Sequence, residues 1–171
     1  VPLPAAYSPV SLGMGEPRHP TPSFIKDALV AGLDGLANYP ATAGEPRLRQ
    51  ALAERLNEVG VQAAPSQIIT TVGATQALDI VSRALLTPGD AVLVDEPGWA
   101  VEYARLTRMG MRLLPVPRGQ GSDGGPDLGV MEALLREHRP RLYVTVSVLH
   151  NPTGWSSTPA MARQLLRLAE Q

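Results

Sequence analysis

The chain has 171 residues, of which 44% are hydrophobic, and this is enough for one globular domain with a buried core. Its 15 basic and 16 acidic residues leave a net charge of -1, which argues against a dominant nucleic-acid-binding face. The absence of cysteine excludes disulfides and thiolate metal sites, and the three histidines lack ligand-like spacing. No apolar run reaches the length of a membrane span and no signal peptide is recognisable, so we expect a cytoplasmic protein without metal or membrane contact.

Helical and strand-like patterns alternate along the chain. Residues 1–22 contain six prolines and are expected to form an extended arm. One amphipathic helix is expected to begin at Thr21 and Pro22, and a second is opened by Pro46 and ended by Gly60. Strands are then expected at residues 67–72, 91–94, 112–116 and 142–149, with helices between them and a last helix after Thr158 and Pro159. Asp127 is expected to cap the helix that begins with Leu128. This alternation predicts a three-layer α/β/α domain with a mainly parallel sheet.

The junction after the first predicted strand has the features of an anion site. Residues 67–72 (QIITTV) are rich in β-branched side chains, and helical periodicity begins after Gly73, so a strand, a tight turn and a helix are expected. Gly73 permits the turn, Thr75 offers a hydroxyl, and the first N–H groups of the helix point to the same place. Such a corner favours a phosphate, although a glycine turn that serves packing alone is an open alternative.

Polar and aromatic residues follow three of the predicted strands, in the strings GATQ (73–76), DEPGW (95–99) and HNPTG (150–154). Open α/β sheets bind ligands at the carboxyl ends of their strands. The order and spacing of these strings resemble the aminotransferase class I/II family, the fold-type I enzymes that use pyridoxal 5'-phosphate. HNPTG is the most specific string, and the resemblance extends from Gly13 to Gly154.

The resemblance implies a role for each string. Gly73, Ala74 and Thr75 would supply N–H donors and a hydroxyl to the cofactor phosphate. Trp99 would stack on the pyridine ring, and Asn151 would donate to the phenolic oxygen. On the residues alone, Trp99 is equally a candidate core anchor, and Asn151 before Pro152 equally a turn initiator.

The same resemblance extends to two residues nearer the start of the chain and to two peptide bonds. Tyr39 is similar to the tyrosine that reaches the phosphate of the neighbouring subunit, which implies a homodimer. Gly15, in GMGEP, is similar to the glycine whose backbone lies beside the substrate carboxylate. The packing alternatives are a half-buried loop aromatic for Tyr39 and a plain turn for Gly15. The bonds before Pro97 and Pro152 are candidates for cis geometry.

The lysine that forms the Schiff base with the cofactor follows NPTG in this family. Lys26 is the only lysine and belongs to the first predicted helix, so no catalytic residue is expected within this chain. The resemblance therefore makes residues 23–171 the front part of the cofactor-binding large domain, after the arm of residues 1–22. It also places the strand of residues 67–72 apart from the other three, with apolar edges that another segment or chain would cover.

Three functions are compatible with these features. The first is transfer of an amino group between an amino acid and a 2-oxo acid. The second is sensing of an amino compound, because YVTVSVLHNPTG (143–154) resembles the aminotransferase-like domain of MocR-type, GntR-family transcriptional regulators. The third, an unrelated phosphate-binding α/β domain, is the weakest because there is neither a GxGxxG fingerprint nor a Walker lysine. No basic recognition helix is present, so DNA binding by these residues is not expected.

Overall fold

The computed structural model describes residue 15, residues 19–119 and residues 123–170. The chain divides into two compact units, Val1–Thr70 and Thr71–Gln171. Within the described ranges, no helix has the length and apolar composition needed to cross a membrane. The same ranges contain no cluster of three or more side chains suited to hold a metal ion.

The described part of the first unit is helical. It contains α1 (Ser23–Ala31), a 3-10 helix (Leu33–Ala37), α2 (Pro46–Glu58) and a second 3-10 helix (Pro65–Gln67). Pro22 immediately precedes α1 rather than beginning it, and no side chain caps this helix. Pro46 is the first residue of α2, as expected from its fixed φ and missing N–H.

The predicted strand at residues 67–72 is wrong. The backbone at Ile68 is extended, but none of the described strands pairs with this segment. Its polar backbone groups find other partners within the first unit: Arg49 Nε donates to Ile68 O at 2.8 Å, and Thr70 N donates to Ala43 O at 3.0 Å. β-branched residues favour an extended backbone, but a strand also requires a neighbour with which to exchange hydrogen bonds.

The second unit contains a parallel sheet. Its strands are β1 (Ala91–Glu96), β2 (Arg112–Pro117) and β3 (Leu142–Val144), in the order β2-β1-β3. Ala91 pairs with Arg112 on one side of β1, and Val92 pairs with Leu142 on the other. The helices of this unit are α3 (Gly73–Leu85), α4 (Ala100–Arg108), α5 (Leu128–His138) and α6 (Pro159–Ala169).

Helices cover both faces of this sheet. Val92 and Val94 of β1 pack on one face with Leu106 of α4, while the alternate residue Leu93 packs on the other face with Met131 of α5. Partly buried leucines of α6 join the second cluster. Because β1 is buried on both faces, its residues 91–94 are all apolar, which is typical of parallel strands. The prediction of a three-layer α/β/α arrangement is confirmed for this unit.

Several local predictions are confirmed, but one strand is shorter than predicted. The Asp127 side chain accepts from Gly129 N and Val130 N and caps α5, and Thr158 accepts from Met161 N and caps α6. The bonds before Pro97 and Pro152 are cis. β3, however, ends at Val144 instead of residue 149, because its pairing with β1 covers only three residues.

Candidate functional site

The carboxyl ends of the three strands meet at one edge of the sheet because all three run parallel. A cavity of about 80 Å³ lies at this edge. Leu78 of α3, Trp99 after β1, and Thr145 and His150 after β3 line it. Of the predicted cofactor-binding residues in this unit, Trp99 lines the cavity, whereas Ala74, Thr75 and Asn151 are not among its lining residues. α3 reaches the cavity through Leu78, and the loop before Asn151 reaches it through His150.

The first turn of α3 offers donors for an anion. Gly73 has φ 74, and a Cβ added there would meet no described atom within 4 Å, so glycine is required by the backbone conformation rather than by lack of space. Within the described ranges, the backbone N–H groups of Ala74 and Thr75 and the Thr75 hydroxyl have no hydrogen-bond partner. They stand at the positive end of the helix dipole, which fits a phosphate dianion.

Gly73 differs from its two neighbours in this turn. Its N–H donates to Thr71 O at 2.9 Å, and the preceding N–H, of Val72, donates to Gln76 Oε1 at 2.5 Å. The expectation that Gly73 supplies a donor to the phosphate therefore has no support from the hydrogen bonds. Its contribution in this structure is the turn that leaves Ala74 and Thr75 accessible.

Trp99 occupies the N-cap position of α4 and lines the cavity. Its side chain is 36% exposed, which argues against the alternative of a core anchor. The loop before it is tightly packed: a Cβ on Gly98 would collide with the Tyr103 hydroxyl and lie 2.9 Å from Asp95 O. The indole thus presents an accessible aromatic surface from a closely packed loop, as stacking on a planar ring requires.

Asn151 belongs to a loop that is closed by its own backbone. His150 N donates to Trp155 O at 2.7 Å, and Gly154 N donates to His150 O at 2.6 Å. Asn151 is exposed, and its amide has no partner among the described residues. The amide is therefore available to donate to a ligand.

A buried carboxylate that the sequence did not single out connects these strand ends. Asp95, 3% exposed, ends the buried part of β1. Its Oδ1 accepts from Arg118 Nη1 at 2.8 Å and from the Tyr143 hydroxyl at 2.6 Å. Its Oδ2 accepts from Thr145 Oγ1 at 2.6 Å and lies 3.2 Å from His150 Nε2. The sequence shows an acidic residue at the end of a predicted strand. No sequence pattern connects that residue with hydrogen-bond partners that lie 23 to 55 residues further along the chain.

Burial sets the protonation of the groups around Asp95. It lowers the pKa of His150, as does Arg118, while Asp95 acts in the opposite direction. A neutral imidazole can donate from Nε2 to Asp95 and accept at Nδ1 from Thr153 Oγ1, 2.9 Å away. Burial, and then the charge of Asp95, raise the pKa of Tyr103 to about 12. Burial and the hydrogen bond to Asp95 also raise the pKa of Tyr143, so both tyrosines keep their protons at neutral pH.

The remaining predicted site residues belong to the first unit. Tyr39 is fully exposed, which does not fit the alternative of a half-buried loop aromatic. Gly15 is exposed, and none of the residues that the structure describes lies within 4 Å of a Cβ added there. Lys26 lies on the exposed surface of α1. The roles that the resemblance implies for Tyr39 and Gly15 stay predictions.

Comparison with known proteins gives consistent matches. An aspartate/prephenate aminotransferase of Thermus thermophilus is 36% identical over 164 residues, which are 94% of this chain and 42% of that protein. An uncharacterized HTH-type transcriptional regulator of Escherichia coli, YdcR, is 32% identical over 128 residues, 75% of this chain and 27% of that protein. The chain thus spans well under half the length of these curated relatives.

Solved structures agree with this result. A mutant of the aspartate aminotransferase of Thermus thermophilus superposes with a TM-score of 0.84 at 34% identity, covering 96% of this chain and 46% of that one. LysN, the alpha-aminoadipate aminotransferase of Thermus thermophilus, complexed with N-(5'-phosphopyridoxyl)-L-leucine, superposes with a TM-score of 0.73 at 31% identity. This match covers 85% of this chain and 36% of that one. The fold is therefore that of the fold-type I enzymes that use pyridoxal phosphate. The model of the family "Aminotransferase class I and II" matches residues 8–171, and the chain belongs to this family.

Proposed function

We propose that this chain is the front part of a pyridoxal-phosphate-dependent aminotransferase, which transfers an amino group between an amino acid and a 2-oxo acid. The observation that carries the proposal is the single cavity to which α3, the loop of Trp99 and the loop of Asn151 all contribute. The unpartnered donors of Ala74, Thr75 and Asn151 and the exposed ring of Trp99 suit a flat, doubly negative ligand. Members of the family use such a cofactor, which carries the amino group and withdraws electrons from the bond that breaks.

The residues of this chain would bind and orient the cofactor. Ala74 and Thr75 would hold its phosphate with two N–H groups and a hydroxyl at the start of α3. Trp99 would stack on its ring and restrict its tilt, and Asn151 would donate a hydrogen bond to its phenolic oxygen. The exposed backbone of Gly15 would receive the carboxylate of the substrate.

A dimer is part of this proposal. In it, Tyr39 of one chain would reach the phosphate bound by its partner, and the full exposure of its ring leaves it accessible for such a contact. Sedimentation of the complete polypeptide, together with cofactor titration of Tyr39→Phe, tests this point. A monomer, or unchanged cofactor affinity in the variant, would contradict it. We further propose that the protein is cytoplasmic and that these residues bind no nucleic acid.

The second candidate is a cofactor-bearing sensor domain of a GntR/MocR-type regulator. It is favoured by the match to the Escherichia coli regulator at 32% identity over 128 residues. A winged helix encoded upstream of Val1 would favour the sensor. The cofactor site would be the same in both, so the two candidates differ in turnover rather than in binding.

The decisive experiment uses the complete polypeptide encoded by the gene, loaded with pyridoxal phosphate. A panel of amino donors is incubated with 2-oxoglutarate or pyruvate, and the new amino acid is measured by chromatography. An aminotransferase produces it catalytically. A sensor changes its absorption spectrum with an amino compound but gives less than one turnover, and a protein that binds no cofactor contradicts both candidates.

A further inference from the structure

Asp95 lies between the two loops that carry Trp99 and Asn151. Its main-chain oxygen accepts a hydrogen bond from the hydroxyl of Tyr103, in the helix that Trp99 caps. Its side chain reaches His150, the residue immediately before Asn151, with 3.2 Å between Oδ2 and Nε2. Asp95 therefore contacts a residue next to each of two proposed cofactor-binding side chains: Tyr103 in the helix after Trp99, and His150 before Asn151.

The carboxylate is fully occupied by protein groups. Each oxygen has two partners: Arg118 and Tyr143 at Oδ1, and Thr145 and His150 at Oδ2. An ionised carboxylate has about four acceptor sites, so none is left over for a ligand. Asp95 accordingly does not fit the role of a group that touches the cofactor, although it adjoins the cavity.

His150 is held at every polar atom. Asp95 lies at Nε2 and Thr153 at Nδ1, while the backbone N–H and C=O bond to Trp155 and Gly154. A buried histidine with one partner at each ring nitrogen and two at its backbone has a defined position and tautomer. The peptide group that continues into Asn151 is fixed with it.

We propose that Asp95 is a positioning residue, which acts through His150 to hold the Asn151 amide in place to donate to the phenolic oxygen of the cofactor. This inference depends on the cofactor assignment of the proposed function. A hydrogen-bond donor stabilises the ionised form of an oxygen acid and lowers its pKa. The pKa of the phenolic oxygen of bound pyridoxal phosphate, read from absorbance against pH, therefore reports where the Asn151 amide lies.

The test uses the complete polypeptide loaded with pyridoxal phosphate. Asn151→Ala should raise this pKa by about one pH unit, the value of one lost hydrogen bond. Asp95→Asn should also raise the pKa of the phenolic oxygen. In the Asn151→Ala background, Asp95→Asn should no longer raise this pKa, because the two residues act through one contact. Only the direct loss of the negative charge of Asp95, which lowers the pKa, is left in that background.

Asp90→Asn is the matched control. Asp90 is also a carboxylate held by protein donors, with Oδ2 2.8 Å from Thr87 N and 3.1 Å from Thr87 Oγ1. It precedes β1, at the opposite end of the strand from Asp95, and is not among the residues that line the cavity. The variant should lower the melting temperature but leave the pKa of the bound cofactor at the wild-type value.

The outcomes separate this inference from the proposed function. If Asn151→Ala shifts the pKa and Asp95→Asn does not, or if the two shifts add, the positioning role is overturned and the cofactor site stands. If the wild type binds no pyridoxal phosphate, both are overturned. Should Asp95→Asn fail to fold, His150→Phe breaks the same contact and leaves Asp95 three donors, and the same criteria apply to it.

Discussion

His150 Nε2 lies 3.2 Å from Asp95 Oδ2, with both side chains at most 3% exposed. This contact joins the end of β1 to the loop after β3 in the interior of the protein. Arg118 donates to the other carboxylate oxygen and its positive charge balances that of the carboxylate. The imidazole can therefore donate to Asp95 while it is neutral.

The first prediction is that His150 stays neutral to lower pH than a free histidine. Burial and Arg118 lower its pKa, so below about pH 6.5 the unfolded chain binds more protons than the folded one. The free energy of unfolding should therefore fall as the pH drops from 6.5 through the folded pKa. Histidine NMR and urea unfolding between pH 7 and 5 measure this, and His150→Phe should lose that part of the pH dependence. An imidazole that titrates above 6.5 would contradict the assignment.

The second prediction concerns Gly98. A Cβ there would collide with the Tyr103 hydroxyl and approach Asp95 O, so Gly98→Ala should lower the free energy of unfolding by about 1–3 kcal/mol. Tyr103→Phe in the same chain should recover part of the loss, because it removes the nearest atom. Gly35→Ala is the control, since no atom of the described part of the chain lies within 4 Å of its new Cβ. Urea denaturation compares the variants, and equal losses at Gly98 and Gly35 would argue against the tight packing of this loop.

The third prediction concerns the aromatic surface of Trp99. Trp99→Leu should weaken binding of pyridoxal phosphate about 2- to 10-fold, the value of one aromatic pair, whereas Trp99→Phe should retain most of the affinity. Val101→Ala, an exposed neighbour in α4, should change nothing. Absorbance titration gives the dissociation constants. The stacking role is rejected if leucine binds the cofactor as well as phenylalanine does.

The sequence predicted the layers and the local helix starts because those depend on nearby residues. Asp127 and Thr158 cap their helices through hydrogen bonds that span two or three residues, and the apolar run of β1 is recognisable without any distant partner. The strings that contain Trp99 and His150 predicted a site at the edge of the sheet where the cavity lies, because the strand patterns before them are local.

What could not be predicted depends on residues far apart in the chain. Residues 67–72 have strand composition but no described strand beside them, and β3 ends once its pairing with β1 stops. The donors on Asp95 come from Arg118 and from residues 143–150, which only the folded sheet brings together. Gly73 was expected to donate to a phosphate, and only its backbone geometry shows that its N–H is bonded to Thr71.

The most direct test of the central claim compares pyridoxal phosphate with pyridoxal, which lacks the phosphate, on the complete polypeptide. If the start of α3 holds the phosphate, Thr75→Val should weaken binding of pyridoxal phosphate roughly tenfold, the value of a hydrogen bond to a charged group, and leave the affinity for pyridoxal unchanged. Thr107→Val in α4 should affect neither ligand. An equal loss for both ligands, or no loss for either, would contradict the phosphate site at Thr75.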